Sequence, residues 1–221
     1  MIKVLLVDDQ ALIRKGFTLV LEAESDLHVV GEAGDGFEAV RKVQELAPDV
    51  VLMDVRMPGL DGIEATRRIT TASRSKVLIL TTFDVDDYAF DGLRNGASGF
   101  LLKDVLPDAL CGAIRAVADG DAVLTPRITR EFVDRFGAAR SAAATGPVRV
   151  PRELGSLTQR EREVLDLVSS GLSNAEVAAR LFLSEATVKT HITRMLSKLG
   201  LRDRVQAVVY AYDHGLVQRL R

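Results

Sequence analysis

Short apolar runs that each finish on a polar residue dominate the front of this 221-residue chain. The runs at 2–7, 50–53, 77–80 and 99–102 lead into Asp8 and Asp9, Asp54, Thr81 and Lys103. Near-continuous apolar character of this length is the pattern of parallel strands buried on both faces. The carboxyl ends of parallel strands share one edge. In an open parallel sheet the ligand crevice lies outside that edge, where the winding direction reverses. The polar residues therefore converge on one site, and three carboxylates there need a cation.

Helical periods fill the spaces between the runs. The spacing predicts helices near 10–23, 36–46, 61–70, 84–95 and 107–119, with a further strand at 28–33. Five βα units in alternation imply right-handed crossovers and an α/β, flavodoxin-like, doubly wound five-stranded parallel sheet in the order 2-1-3-4-5. Strands 1 and 3 are then neighbours at the switch point, which brings Asp8, Asp9 and Asp54 together.

Beyond residue 124 the texture changes. An amphipathic stretch near 127–136 runs into 137–147, where Ala, Ser, Thr, Gly and Pro displace large apolar residues, and this reads as a linker with a short helix over 125–153. The last part, 154–221, has helical periods and no strand signal. Thr158 with Glu161 and Ser173 with Glu176 fit the capping box, Ser184 is a ready N-cap, and Gly171 and Gly200 suit helix ends. Four helices are expected, near 158–170, 174–181, 185–199 and 202–213. Charge divides the same way. Residues 1–124 hold 13 Lys+Arg against 21 Asp+Glu, whereas 154–221 hold 10 against 7. An acidic front and a mildly basic back suggest a cation site followed by a polyanion site. With one cysteine, Cys111, no internal disulfide can form, and no apolar stretch approaches a membrane span. A soluble, cytoplasmic protein with no membrane partner is expected.

Oxygen ligands in octahedral array suit Mg²⁺, which takes one or two carboxylates and keeps several waters. A carboxylate is also a nucleophile toward phosphorus, and phosphoryl transfer needs little beyond positioning and positive charge on the equatorial oxygens. Mg²⁺ supplies part of that charge, Lys103 another part, and the Thr81 hydroxyl a hydrogen bond. Residues 1–120 resemble the receiver domain of two-component response regulators. The text that carries the resemblance is Val7-Asp8-Asp9, the run from Met53 to Gly62, Leu80-Thr81-Thr82 and the run from Gly96 to Lys103. The resemblance implies Asp54 as the phosphoacceptor, with Asp9, Asp54 and the backbone carbonyl of Arg56 holding Mg²⁺ and Asp8 helping through water. It implies that Thr81, Thr82 and Lys103 engage the phosphoryl group and that Thr81 and Phe100 form a switch pair. Phe100 stands where the family often has Tyr, so a hydroxyl is missing. Arg56 and Phe83 fall at positions that tune dephosphorylation in receivers.

On a helical wheel the stretch 185–199 puts Val188, Ile192, Met195, Leu196 and Leu199 on one face and Lys189, Thr190, Thr193, Arg194 and Ser197 on the other. A short capped helix at 174–181, a three-residue turn and this longer helix make a helix-turn-helix, whose second helix enters the major groove. Lys189 can reach guanine or phosphate, Arg194 phosphate, and Thr190 and Thr193 base edges or a thymine methyl; Ser184 and Thr187 stand at the helix entrance, and His191 reads as packing. Residues 157–212 resemble the LuxR/NarL-type DNA-binding domain through Leu157-Thr158-Gln159-Arg160-Glu161-Arg162-Glu163-Val164-Leu165, Gly171-Leu172-Ser173-Asn174-Ala175-Glu176-Val177-Ala178 and Thr187-Val188-Lys189-Thr190-His191. That resemblance implies base contacts from Lys189, Thr190 and Thr193 and a dimer contact through the last helix. The whole chain then reads as a transcription factor controlled by phosphorylation, with a histidine kinase, promoter DNA and a second copy as partners and no enzymatic turnover beyond its own phosphotransfer and dephosphorylation. Two rivals stand beside this reading. A phosphatase of the haloacid dehalogenase kind needs a second Asp two residues after the nucleophile, where this chain has Arg56; a LuxR-type ligand sensor needs an apolar pocket in place of the acid cluster.

Overall fold

The computed structural model describes residues 1–81, 87–121, 123 and 152–216. Thr82, Phe83, the stretch near 127–136 and the linker text at 137–147 lie outside them. The chain divides into two compact units, Met1–Leu124 and Thr125–Arg221.

In the first unit β1 (Ile2–Val7), β2 (Leu27–Ala33), β3 (Val50–Asp54), β4 (Lys76–Thr81) and β5 (Gly99–Leu102) form one parallel sheet in the order β2-β1-β3-β4-β5. The helices between and after them are α1 (Ala11–Glu22), α2 (Gly36–Leu46), α3 (Gly62–Ala72), α4 (Asp87–Arg94) and α5 (Pro107–Ala118). The expected order is the observed one. Successive strand side chains point to opposite faces, so both faces of a sheet covered by helices demand apolar residues at every position. Val4, Leu6, Val50, Leu52, Leu78 and Leu80 join Leu21 of α1 and Leu110, Ile114 and Val117 of α5 in one core cluster. The alternate residues fill the other face: a Cβ on Gly31 would meet Leu5 and Leu46 of α2, and one on Gly92 would meet Ile79 and Ile63 of α3. Cys111 is buried in the first cluster as a free thiol, and burial pushes its pKa up, which keeps it a small apolar residue.

Helix starts follow the sequence closely. Asp35 caps α2 and Asp61 caps α3 by accepting the Glu38 and Glu64 amides at 2.9 and 2.8 Å. β5 stops at Leu102, one residue short of the expected Lys103, although the Lys103 amide still donates to the Thr81 carbonyl at 2.7 Å. That bond continues the β4–β5 ladder one step and sets Lys103 at the shared edge.

The second unit is helical among its described residues. After a 3₁₀ turn at Arg152–Ser156 come α6 (Gln159–Ser169), α7 (Asn174–Leu181), α8 (Glu185–Leu199) and α9 (Arg204–Asp213). Both expected capping boxes are formed, Ser184 caps α8, and Gly200 ends α8 in the left-handed region at φ 66°. The buried faces of α6, α8 and α9, including Val164, Val168, Val188, Met195, Val205 and Ala211, make the core.

Candidate functional site

β1 ends at Val7 and β3 at Asp54, and their register pairs Val7 with Met53, so the two acidic segments leave the sheet side by side. One carboxylate oxygen from each of Asp8, Asp9 and Asp54 lies within 4.8 Å of the others. Asp8 and Asp54 are buried and Asp9 is exposed. From the end of β5, Lys103 reaches back with its Nζ 2.6 Å from Asp8 Oδ2 and 3.0 Å from Asp54 Oδ2, its side chain 6 % exposed. The other oxygens serve the backbone: Asp8 Oδ1 accepts the Gln10 amide and Asp54 Oδ1 the Val55 amide, both at 2.8 Å. Burial raises the Asp54 pKa above the ordinary 3.8; the Lys103 ammonium opposes the shift and Asp8 adds to it.

Thr81 is buried at the end of β4 and Phe100 is buried in β5. The register sets Phe100 beside Ile79 and Leu102 beside Thr81, so Thr81 and Phe100 share one face of the sheet. The Phe100 ring already lies inside, at 1 % exposure. Arg56 follows β3 with its side chain exposed. Thr82 lies outside the described residues.

Glycines let the helices approach this edge. A Cβ on Gly62 would stand 1.9 Å from the Asp54 carbonyl oxygen, and one on Gly36 2.4 Å from the Leu60 carbonyl oxygen. Gly62 also donates its amide to the Val55 carbonyl at 2.9 Å, which pins the start of α3 to the strand that carries Asp54. The chemistry of the donor set, three carboxylates on adjacent strand ends, fits a hard divalent cation such as Mg²⁺.

In the second unit α8 presents Lys189, Thr190, Thr193 and Arg194 as exposed residues, while Val188, Ile192, Met195 and Leu199 are buried. Thr187 and His191 are half-buried and Ser184 is exposed. Ser184 and Thr187 engage each other, Oγ to Oγ1 at 2.9 Å, within the N-cap. The hydroxyls of Thr190 and Thr193 donate to the Ala186 and Lys189 carbonyls, both at 2.9 Å. With their protons committed, these threonines offer a nucleic-acid edge an acceptor lone pair and a methyl group, which suits an exocyclic amine or a thymine methyl.

Side chains that the sequence reading passed over hold this helix pair in place. Lys198 Nζ lies 2.7 Å from Glu161 Oε2, joining α8 to α6, and Arg160 donates to the Leu181 carbonyl at the end of α7 at 2.6 Å. Arg204 donates to Asn174 Oδ1 at 2.7 Å and to the Leu172 carbonyl, tying α9 to the start of α7. Each pair joins residues more than twenty positions apart, so no local spacing marks them.

Comparison with known proteins decides the family. Residues 4–115 match the family described as response regulator receiver domain, and residues 155–211 match the bacterial regulatory proteins of the luxR family. The chain belongs to the response regulators. It is 44 % identical over 98 % of both chains to the uncharacterized transcriptional regulatory protein YxjL of Bacillus subtilis, and 43 % identical to LiaR of the same organism over 98 % of this chain and all of LiaR. Among solved structures, the response regulator ChrA of a heme-sensing two-component system is 38 % identical over 98 % of both chains, with a TM-score of 0.52. This response regulator is accordingly a transcriptional regulator of the two-component type, with a receiver and a LuxR-type DNA-binding domain. Receiver domains bind Mg²⁺ at an acidic pocket of this kind, and the pairing of domains implies a kinase and DNA as partners. Among the described residues no helix is long and apolar enough to cross a membrane.

The raised Asp54 value has a consequence for stability. Because the folded value lies above the ordinary one, ionised Asp54 costs the metal-free regulator stability at neutral pH, and the cost fades as pH falls through the raised value. In EDTA, Asp54→Asn is expected to melt above wild type at pH 7.5, with the gap closing toward acid. If Asp54 is a ligand, added Mg²⁺ is expected to reverse the ranking: at ten times its Kd a ligand stabilises by about 1.4 kcal/mol, and Asp54→Asn should forfeit most of that. Thermal unfolding with and without Mg²⁺ at two pH values checks both statements.

Proposed function

We propose that this regulator takes a phosphoryl group from a histidine kinase onto Asp54 and that phosphorylation promotes its dimerisation and promoter binding. The observation that carries the reading is Lys103 Nζ between Asp8 and Asp54 on the strand-end edge. In the transfer, Asp54 attacks phosphorus, an O–P bond forms, the P–N bond to the kinase histidine breaks, and the electron pair leaves with the imidazole. Asp9, Asp54 and the Arg56 carbonyl would hold Mg²⁺ with Asp8 helping through water, and the ion would supply positive charge to the phosphoryl oxygens. Lys103 pairs with the incoming phosphoryl group, and the Thr81 and Thr82 segment follows it. Phe100, on the same face as Thr81, reads that movement and biases the surface formed by α4, β5 and α5. Moving such a surface from about 1 % to 99 % active takes roughly 5.5 kcal/mol of differential binding.

Residues 1–124 serve as the receiver, 125–153 as the linker and 154–221 as the DNA-binding domain. In the phosphorylated dimer two α8 helices enter major grooves about one helical turn apart. Lys189, Thr190 and Thr193 face base edges, Arg194 faces phosphate, and Ser184 and Thr187 stand at the helix entrance. The regulator works in the cytoplasm and turns over no small-molecule substrate beyond its own phosphotransfer and dephosphorylation.

Incubation with acetyl phosphate and Mg²⁺, followed by intact mass and light scattering after size exclusion, tests the reading. Wild type is expected to gain about 80 Da, the mass of a phosphoryl group on a nucleophilic carboxylate, and to shift to dimer, while Asp54→Asn does neither. No gain in wild type overturns the assignment of Asp54. On a random-sequence duplex, Lys189→Ala is expected to weaken binding, and loss of a phosphate contact lowers the salt slope by about 1.

A further inference from the structure

We infer that Arg14 is a positioning residue of the acidic pocket: braced by Glu32, it fixes the Asp8–Asp9 turn where those carboxylates can hold a divalent cation. The inference rests on the reading of Asp8, Asp9 and Asp54 as the ligand set. Arg14 lies in the first turn of α1 and donates from Nη1 to the Asp8 carbonyl at 2.5 Å. Its Nε donates to Glu32 Oε2 on β2 at 3.1 Å, and the side chain is 17 % exposed. Glu32 is fixed in turn: its Oε1 lies 3.0 Å from Lys15 Nζ and accepts the Thr18 hydroxyl at 3.3 Å.

The Asp8 carbonyl belongs to the turn after β1, and Gln10, at the N-cap position of α1, makes no side-chain capping bond. The turn is tied to β2 by the Asp8 amide, which donates to the Ala33 carbonyl at 3.1 Å. Arg14 adds a second tie at the next peptide of the turn, through a planar guanidinium held at two atoms. Arg41 with Glu45 and Arg67 with Glu64 pair within one helix at exposed sites worth little, and Arg115 of α5 reaches across to Glu24 and Asp26, away from the acidic pocket. Arg14 joins a helix, a strand and the turn that carries two of the three carboxylates.

Charge and position act in opposite directions here, which makes the inference sharp. A guanidinium near the pocket repels a second cation, so its removal by Coulomb's law alone tightens Mg²⁺ binding. If Arg14 positions the turn, its removal loosens binding, because groups that orient metal ligands typically account for ten- to hundredfold in affinity.

Calorimetric titration of the full-length regulator with Mg²⁺ alone decides between the two. Arg14→Met is expected to raise the Mg²⁺ Kd about tenfold, the lower end of that range. Glu32→Gln should raise it less, the double variant should match Arg14→Met because the two residues act as one unit, and Arg14→Lys should recover part of the loss. Arg41→Met, which removes only the pairs with Glu38 and Glu45 on the surface of α2, should leave Kd unchanged. A Kd for folded Arg14→Met within twofold of wild type, or below it, overturns the positioning role; if that variant does not fold, an unchanged Kd in Glu32→Gln does so. Asp9→Asn in the same series separates the two readings. If it leaves Mg²⁺ binding intact, or wild type binds none, the ligand set itself is wrong and the inference falls with it; if it abolishes binding while Arg14→Met does not loosen it, only the positioning role fails.

Discussion

Lys103→Met is expected to slow phosphoryl uptake at Asp54 by about 10²–10³-fold while tightening Mg²⁺ binding. The amine stands 2.6 Å from Asp8 and 3.0 Å from Asp54 inside the pocket, so it repels a second cation there, and in the proposed transfer it would stabilise charge on the phosphoryl group. Removing a preorganised donor from such a site typically costs that factor in rate. Methionine keeps the length of the side chain and removes only the charge. Breaking a buried ion pair costs about 3–5 kcal/mol when the remaining charge finds no relief. Here Asp54, already raised in pKa by burial, can protonate, so a loss of about 2 kcal/mol in EDTA is the expected scale, and Mg²⁺ should restore it. Quenched-flow labelling with acetyl phosphate reads the rate, and calorimetry reads the metal. Slower transfer together with weaker Mg²⁺ binding would contradict the division of labour proposed for Lys103.

The second large effect is expected from Gly62→Ala. The added Cβ would lie 1.9 Å from the Asp54 carbonyl oxygen and 3.0 Å from the Val55 Cα, and neither backbone atom can rotate away. α3 must therefore move off β3, breaking the bond from the Gly62 amide to the Val55 carbonyl. Overpacking of this kind costs about 3 kcal/mol, the top of its usual range. At roughly 4 °C per kcal/mol for a unit of this size, the receiver should melt about 12 °C lower. Because the displaced strand end carries Asp54, phosphoryl uptake should fall in the protein that remains folded. Gly16, where an added Cβ meets nothing within 4 Å, is the matched control: Gly16→Ala should raise stability slightly through helix propensity. Differential scanning of the two variants side by side separates local collision from a general intolerance of alanine.

The receiver's architecture was legible because its signals are periodic and redundant. Strands buried on both faces must read as apolar runs, and Val4 to Val7, Val50 to Met53 and Val77 to Leu80 do so without interruption. The acidic pocket was legible for a topological reason: once the strands are parallel, their carboxyl ends fall on one edge whatever the loop details. The capping boxes at Thr158 and Ser173 were equally plain, since the residues that close them are three apart in sequence. The expected end of β5 at Lys103 was one residue long, because the ladder bond from its amide to Thr81 resembles a strand without the pairing that would extend it.

Contacts made across elements were not legible. Nothing around Arg14 announces Glu32 as its partner, because that pairing exists only once β2 lies beside β1 and α1 packs over both. The same holds for Lys198 with Glu161 and Arg204 with Asn174. The commitment of the Thr190 and Thr193 hydroxyls to the helix backbone, which changes what those residues offer DNA, likewise needed side-chain rotamers. By itself the sequence determined which elements form, the order of the sheet and which acidic residues meet, because periodicity and strand polarity are properties of the chain read in one dimension. Only the tertiary structure decided which cations hold those acids, how closely α3 presses on the strand of Asp54 and which way Phe100 points, because each depends on distances between residues that sequence separation does not constrain.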